Sequence, residues 1–384
     1  MQAPVKQQIE NLEIRPVDGK SDLRRFIRLP WSLYANDPAW VPPLLLERRM
    51  HLDPGNPYFL HAQCRSWIAW RGASAVGRIS AQIDQLHLER YNDATGFFGM
   101  VESEDDPDTF RALLDTAEAW LRSQGMRRIM GPFNLSINQE LGLLVEGFDT
   151  PPYIMMGHAH PYYGPRIEAQ GYVREKDLLA YLTDLDFGFT PAMQAIIDRA
   201  SKVVRIRNLR RSNFKEELQI ILDIYNDAWS QNWCFIPFTE AEFDHMGRDF
   251  KQLVPDDFVR IAEVDGIPAA MMVGFPNLNE AIRDLNGRLL PFGWLKLLWR
   301  LKVSFPKTAR SPLMGVRQRY HNSRMGAALA LMIIDSLRAS GRKRGVKEVE
   351  LSWILDDNEG MRNILDSIGA KVYKRYRIYS KELN

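Results

Sequence analysis

The sequence predicts an α/β (α+β) chain of two similar halves, each a twisted mixed β-sheet flanked by helices. Three observations carry this. At 384 residues the chain exceeds one ordinary core and suits two domains. Strand-like and helix-like hydrophobic patterns alternate along its whole length. The two halves also repeat one another, in order and at nearly constant spacing. "LEIRPVDGKSDL" matches "VRIRNLRRSNF", aligning Ile14 with Ile206, and "SWIAWRGASAVGRI" matches "VRIAEVDGIPAAMM", aligning Ile68 with Ile261. "HPYYGPRIEAQGY" matches "NEGMRNILDSIGA", aligning Gly171 with Gly369, each placed as a helix C-terminal stop. The predicted domains are 1–190 and 200–384.

Each half reads in the same order. A strand leads to helices, a strand pair around a tight glycine turn, a strand entering a long helix, another strand, a short helix and a closing strand. In the second half the spacing predicts strands at 204–209, 258–264, 267–274, 312–318, 346–355 and 371–381. It predicts helices at 214–231, 323–341 and 358–368, the long one carrying Leu329, Met332, Ile333 and Leu337 at helical spacing. Such a mixture predicts helices on both faces of a mixed sheet.

Composition narrows the function classes. A net charge of +2 argues against nucleic acid as an obligatory partner. Only Cys64 and Cys234 occur, far apart, which suits a reducing compartment and no disulfide framework. No apolar leader and no spanning run stand out, so the expected location is cytoplasmic. No Ser–His–Asp or metal-ligand constellation stands out, and no metal is expected.

In "GVRQRYHNSRMGAAL" (315–329) a strand runs through a polar turn into a small-residue helix start. Helix starts with bare amides favour phosphate. Asn322, Ser323, Gly326 and Ala327 are small or able to cap, while Arg317 and Arg324 add positive charge. An ordinary capped helix with solvated arginines explains the same residues. At the matching point of the first half, "GFFGMVESEDDPDTFRALL" (96–114) places five acids, which favour the helix start but repel an anion.

In "VKEVELSWIL" (346–355) alternation puts Glu348, Glu350 and Ser352 on one face. Two carboxylates on a central strand suit proton transfer, or salt bridges at a solvated strand end. "GPFNLSINQE" (131–140) places Asn134, Asn138 and Gln139 past a strand end, as substrate contacts across the domain interface or as loop hydrogen bonds. "LLPFGWLKLLWRLKVSF" (289–305) sets Lys296 and Arg300 on one narrow helical face and apolar residues on a broad one. It reads as packing between the halves, as a lid over an acyl chain, or as a weak membrane-surface contact.

The element order, and most specifically "DDNEGMRNILDSIGAKVYKRYRIY" (356–379), resembles the GNAT superfamily of acyl-CoA-dependent N-acyltransferases, present twice over nearly the whole chain. The resemblance implies acetyl-CoA or another acyl-CoA as co-substrate and a small-molecule amine or amino-acid-like acceptor. It implies a degenerate first half and a second half holding the acyl-CoA at Gly315, Val316, Arg317, His321, Asn322, Ser323, Arg324, Met325, Gly326 and Ala327, with Asn358 as a further contact. The phosphate loop matches the family pattern only in part, with Arg324 or Ser323 off-pattern depending on the register. The strand with Glu350 would flank the acyl-CoA groove, making Glu350 the expected general base, near Ser352, with Glu348 second. Where relatives carry a general-acid tyrosine, four residues before the glycine stop, this chain has Leu365, so Tyr373 is the expected substitute. Two other readings share the architecture: a Fem-type aminoacyl transferase using charged tRNA, and a non-catalytic binding protein.

Overall fold

The computed structural model describes residues 12–251 and 253–384. In the first half the strands are β1 (Leu12–Pro16), β2 (Ala62–Arg71), β3 (Ser74–Asp84), β4 (Thr95–Ser103), β5 (Arg128–Gly131), the short β6 (Phe133–Asn134), β7 (Glu140–Leu141) and β8 (Leu143–Glu146), and β9 (Val173–Asp184). In the second half they are β10 (Val204–Asn208), β11 (Val259–Val264), β12 (Ile267–Pro276), β13 (Thr308–Val316), β14 (Glu348–Leu355) and β15 (Lys371–Glu382). The hairpin turns fall at glycines, Gly72 and Gly266, both with positive φ.

One 13-stranded sheet runs through both halves in the order β1-β2-β3-β4-β5-β15-β9-β14-β13-β12-β11-β10, with β8 paired to β15. The closing strands cross over. β15, at the chain's end, pairs with β5 of the first half, and β9 pairs with β14 of the second. Tyr376, Ile378 and Tyr379 of β15 are fully buried in the first half's core, beside Phe98, Leu113 and Tyr163. Each half therefore completes its core with a strand from the other.

Two long helices cover the sheet. Pro107–Ser123 starts at Asp106, whose side chain accepts from the Thr109 amide, and buries Phe110, Leu113, Leu114, Ala117 and Leu121. Arg324–Lys343 starts at Ser323, which accepts from the Gly326 amide, and buries Leu329, Ile333 and Leu337.

Candidate active site

β13 and β14 are parallel and in register only from Thr308 opposite Glu348 to Ser311 opposite Leu351. Pro312 follows, and proline has no N–H for a ladder bond. Beyond it β13 stays with β12, while β14 keeps to β9, its partner from Glu348 onward, through Ile354 and Leu355. The two strands open into a wedge holding a cavity of 130 Å³, lined by Tyr225, Trp229, Pro312, Leu313, Trp353 and Leu355 among others.

The first half parts at the same place, after Thr95–Phe97 and Arg128–Met130. There its own chain fills the gap. A Cβ on Gly99 would stand 1.8 Å from the Phe133 carbonyl oxygen. That carbonyl accepts from Gln82 Nε2 at 2.6 Å, and Asn134 Oδ1 accepts from the Met100 amide at 2.7 Å. The first wedge is shut and the second is open.

The helix start after β13 is built tightly. A Cβ on Gly326 would lie 2.2 Å from the Tyr320 carbonyl oxygen, so the loop admits only glycine there. Asn322 turns the chain with φ +54°. His321, Asn322, Ser323 and Arg324 are exposed, while Val316 and Met325 pack on the second core. Arg317 Nε donates to the Pro268 carbonyl at 2.9 Å, and His321 Nε2 lies 2.7 Å from the Val316 carbonyl. Ala327 donates its amide to the Ser323 carbonyl. Gly315 lets Trp229 approach: a Cβ would meet its ring at 2.5 Å. Asn358 caps the helix Glu359–Ser367 by accepting from the Met361 amide at 3.1 Å. At the corresponding start in the first half stand Glu104 and Asp106, both bound to Arg71.

Glu350, Ser352 and Tyr373 meet. Ser352 Oγ donates to Glu350 at 2.6 Å, the Tyr373 hydroxyl donates to the other carboxylate oxygen, and Arg310 Nε lies 3.3 Å away. Glu350 and Arg310 are both fully buried. Burial raises the Glu350 carboxyl against the pull of Arg310. Arg310 Nη1 donates to the Ile154 carbonyl, and Met156 Sδ touches Ser352. Ile154 and Met156 also line the large cavity described next, so the 154–156 segment stands between it and Glu350. Glu348 lies beside the cluster and accepts from Tyr153 at 2.7 Å.

That cavity, of 570 Å³, lies between the halves. Most of its wall is apolar, from Ile27, Trp40 and Leu44 on one side to Phe238, Leu278 and Ile282 on the other. Asn138, Met155, Phe238 and Met246 line both this cavity and the wedge, so the two are neighbours across a shared wall. Asn134, Asn138 and Gln139 all line it. Asn138 ties the halves together, accepting from Tyr225 at 2.6 Å and donating to the Ile236 carbonyl at 3.1 Å.

Polar groups interrupt the apolar wall, among them Arg48 with Glu140, Arg78 with Glu102, and His158. Arg48 binds both oxygens of Glu140, at 2.7 and 3.1 Å; burial opposes the charge, but Arg48 holds the carboxyl down at about 2. His158 Nε2 lies 2.8 Å from Asp37 Oδ2, while its buried Nδ1 has no hydrogen-bond partner among the described residues. Burial lowers the His158 pKa, with Asp37 pulling the other way, so the ring is neutral at pH 7. With Asp37 accepting from Nε2–H, the lone pair sits on Nδ1.

No protein-family model matches the sequence. The chain is 53% identical over 371 residues to Protein YghO of Escherichia coli (strain K12), covering 96% of this chain and 95% of that protein. It is 46% identical over 377 residues to the bacterial ceramide synthase of Caulobacter vibrioides (strain NA1000 / CB15N), covering 97% and 98%. A tandem GNAT protein from the clavulanic acid biosynthesis pathway shares the fold over 97% of this chain and 99% of its own, with a TM-score of 0.57 at 13% identity. The chain belongs to the family of these two close relatives, a family of acyltransferases on a doubled GNAT fold.

In this tandem GNAT acyltransferase the open wedge and the glycine-tight helix start lie in the second half, and the first half's wedge is shut. His158 and Asp37 were invisible to sequence reasoning. "HAH" at 158–160 looks like a lone pair of histidines, and its partner lies 121 residues away.

Proposed function

We propose that this chain transfers the acyl group of an acyl-CoA to the amine of a long-chain amino lipid of the sphingoid-base class. The observation that carries the reading is the large, mostly apolar interdomain cavity sharing a wall with the open β13–β14 wedge. A small amine needs no such volume, whereas an alkyl chain gains by leaving water along its whole length. The name of the Caulobacter relative supports the same acceptor.

In this reading the pantetheine arm lies in the wedge and the phosphates sit at the start of the helix Arg324–Lys343, near Arg317, Ser323 and Arg324. The acceptor's alkyl chain fills the cavity. An acceptor amine enters as an ammonium and must lose a proton before it can attack. His158 Nδ1 takes that proton, and Asp37 holds the imidazolium that forms. The amine nitrogen bonds to the thioester carbon, the carbon–sulfur bond breaks, and the nitrogen's second proton passes to the departing thiolate, leaving the amide and the free thiol of coenzyme A. Glu350, with Tyr373 and Ser352, holds Arg310 and the 154–156 segment in place behind the cavity wall, a positioning role.

The test is incubation of the purified protein with palmitoyl-CoA and either sphinganine or a panel of small amines, following amide formation by mass spectrometry and thiol release by colour. The expected result is an N-acyl sphinganine with stoichiometric free thiol. Acylation of small amines alone would overturn the lipid acceptor.

A further inference from the structure

Between β12 and β13 the chain makes an excursion, residues 277–307, that carries the helix Gly293–Trp299 and its continuation Arg300–Ser304. On a protein surfaced by water such a helix turns its apolar side inward and its charges outward. Here apolar side chains face outward as well. Lys296 and Arg300 reach back to Asp284, Arg300 at 2.5 and 3.1 Å, and Arg300 also donates to the Ala281 carbonyl at 2.6 Å. The cations pin the helix to the body. Leu290, Phe292, Trp294, Leu295, Leu298, Trp299 and Val303 are left exposed, from 46% to 78%. No other stretch of the described residues exposes so dense an apolar patch, and a patch of this kind marks a contact surface.

The patch is continuous with the cavity. Leu289 and Leu297, on the same segment, line it. Across the opening stands the helix Leu45–His51, where Leu46 and Met50 line the cavity yet are 55% and 41% exposed. The two rims are joined at one end: the Leu45 amide donates to the Gly287 carbonyl at 3.0 Å, and Trp31 Nε1 donates to Asn286 at 2.7 Å. The cavity thus opens between two helices with apolar outer faces.

Charge selects the occupant. From Arg288 to Lys307 the sequence holds Arg288, Lys296, Arg300, Lys302 and Lys307 and no acid. Two tryptophans among basic and aliphatic residues suit the boundary between headgroups and acyl chains. Lys296 and Arg300 are paired with Asp284, and the remaining basic residues, Arg288 and Lys307 among them, favour an anionic leaflet.

We infer that residues 290–303, with Leu46 and Met50, dock on an anionic bilayer surface, and that the cavity takes up its lipid directly from the bilayer between the two rim helices. Docking stands on the patch alone; uptake of the acceptor rests on the proposed function.

The experiment uses the full chain with vesicles of phosphatidylcholine, alone or with phosphatidylglycerol, and the double variant Trp294→Glu/Trp299→Glu. Both side chains are exposed and neither lines the cavity, so folding is expected to hold; circular dichroism checks it. In flotation, wild type should rise with the anionic vesicles and the variant should bind at least tenfold more weakly. Acylation of sphinganine embedded in vesicles should fall by a similar factor in the variant, while acylation of detergent-dispersed sphinganine stays unchanged. Docking is overturned if wild type remains unbound at all lipid concentrations, or if the variant binds equally well. It is also overturned if sedimentation shows a dimer, lost in the variant, with no vesicle binding, since the patch would then cover a second copy. Patch-dependent flotation without acylation of any acceptor would uphold docking and overturn the acceptor and its uptake.

Discussion

The Phe133 carbonyl oxygen occupies the space that a side chain on Gly99 would need, 1.8 Å from a Cβ built there. This contact shuts the first half's wedge with the protein's own chain, while Pro312 leaves the second half's wedge open. Two halves that share one plan therefore differ at the wedge, where we propose that the acyl-CoA enters.

Calorimetric titration should give one coenzyme A per chain. Gly326→Trp should abolish the binding, because even a Cβ there meets the Tyr320 carbonyl at 2.2 Å. Asp106→Ala should leave binding unchanged while removing an N-cap worth about 1 kcal/mol. Two molecules per chain, or binding that survives Gly326→Trp, would contradict the assignment.

His158→Asn should lower the transfer rate by roughly 10²–10⁴-fold, the usual weight of a general base, with the KM for acyl-CoA little changed. The base works when neutral, so activity should fall as pH drops through the His158 pKa, which burial holds below the ordinary 6.5. Asp37→Asn removes the partner that pulls this pKa up and should move the acid limb to lower pH. A rate profile whose acid limb survives in His158→Asn would assign the proton elsewhere.

Arg310→Met strands a fully buried Glu350 carboxylate and should cost about 3–5 kcal/mol by urea unfolding. Glu350→Gln keeps the shape, but one acceptor oxygen becomes an NH2, so one of the Tyr373 and Ser352 hydroxyls must turn to accept, and Arg310 loses its counter-charge. If Glu350 only positions its neighbours, this variant should keep most of its kcat with an unshifted pH profile. A flattened profile in a well-folded Glu350→Gln would restore it as the base.

His61 lies 3.0 Å from Asp84 of the first half and 3.3 Å from Glu242 of the second. Burial opposes its charge, but the two carboxylates prevail and push its pKa up to about 9. A group raised on folding stabilises fully below its unfolded value, near 6.5, and loses that contribution as pH rises through about 9. The Tm gap between wild type and His61→Gln should therefore be widest at pH 6 and close by pH 10. A gap independent of pH would remove the ion pairs from the account.

Hydrophobic periodicity and turn chemistry are local, and the sequence by itself determined what depends on them. The repeat, the glycine turns at 72 and 266, the capped helix after Ser323, and a strand presenting Glu350 beside Ser352 were all legible. The polar stretch holding Asn134, Asn138 and Gln139 was legible too, and Asn138 in it bonds to the other half. Only the tertiary structure decided which strand closes which half, because β5 and β14 offer alike edges and no local pattern marks an exchange of β9 and β15. It also sealed Glu350 behind residues 154–156, joined Asp37 to His158, and tied Lys296 and Arg300 to Asp284. Each of these depends on groups far apart in sequence meeting at one point, which spacing along the chain does not encode.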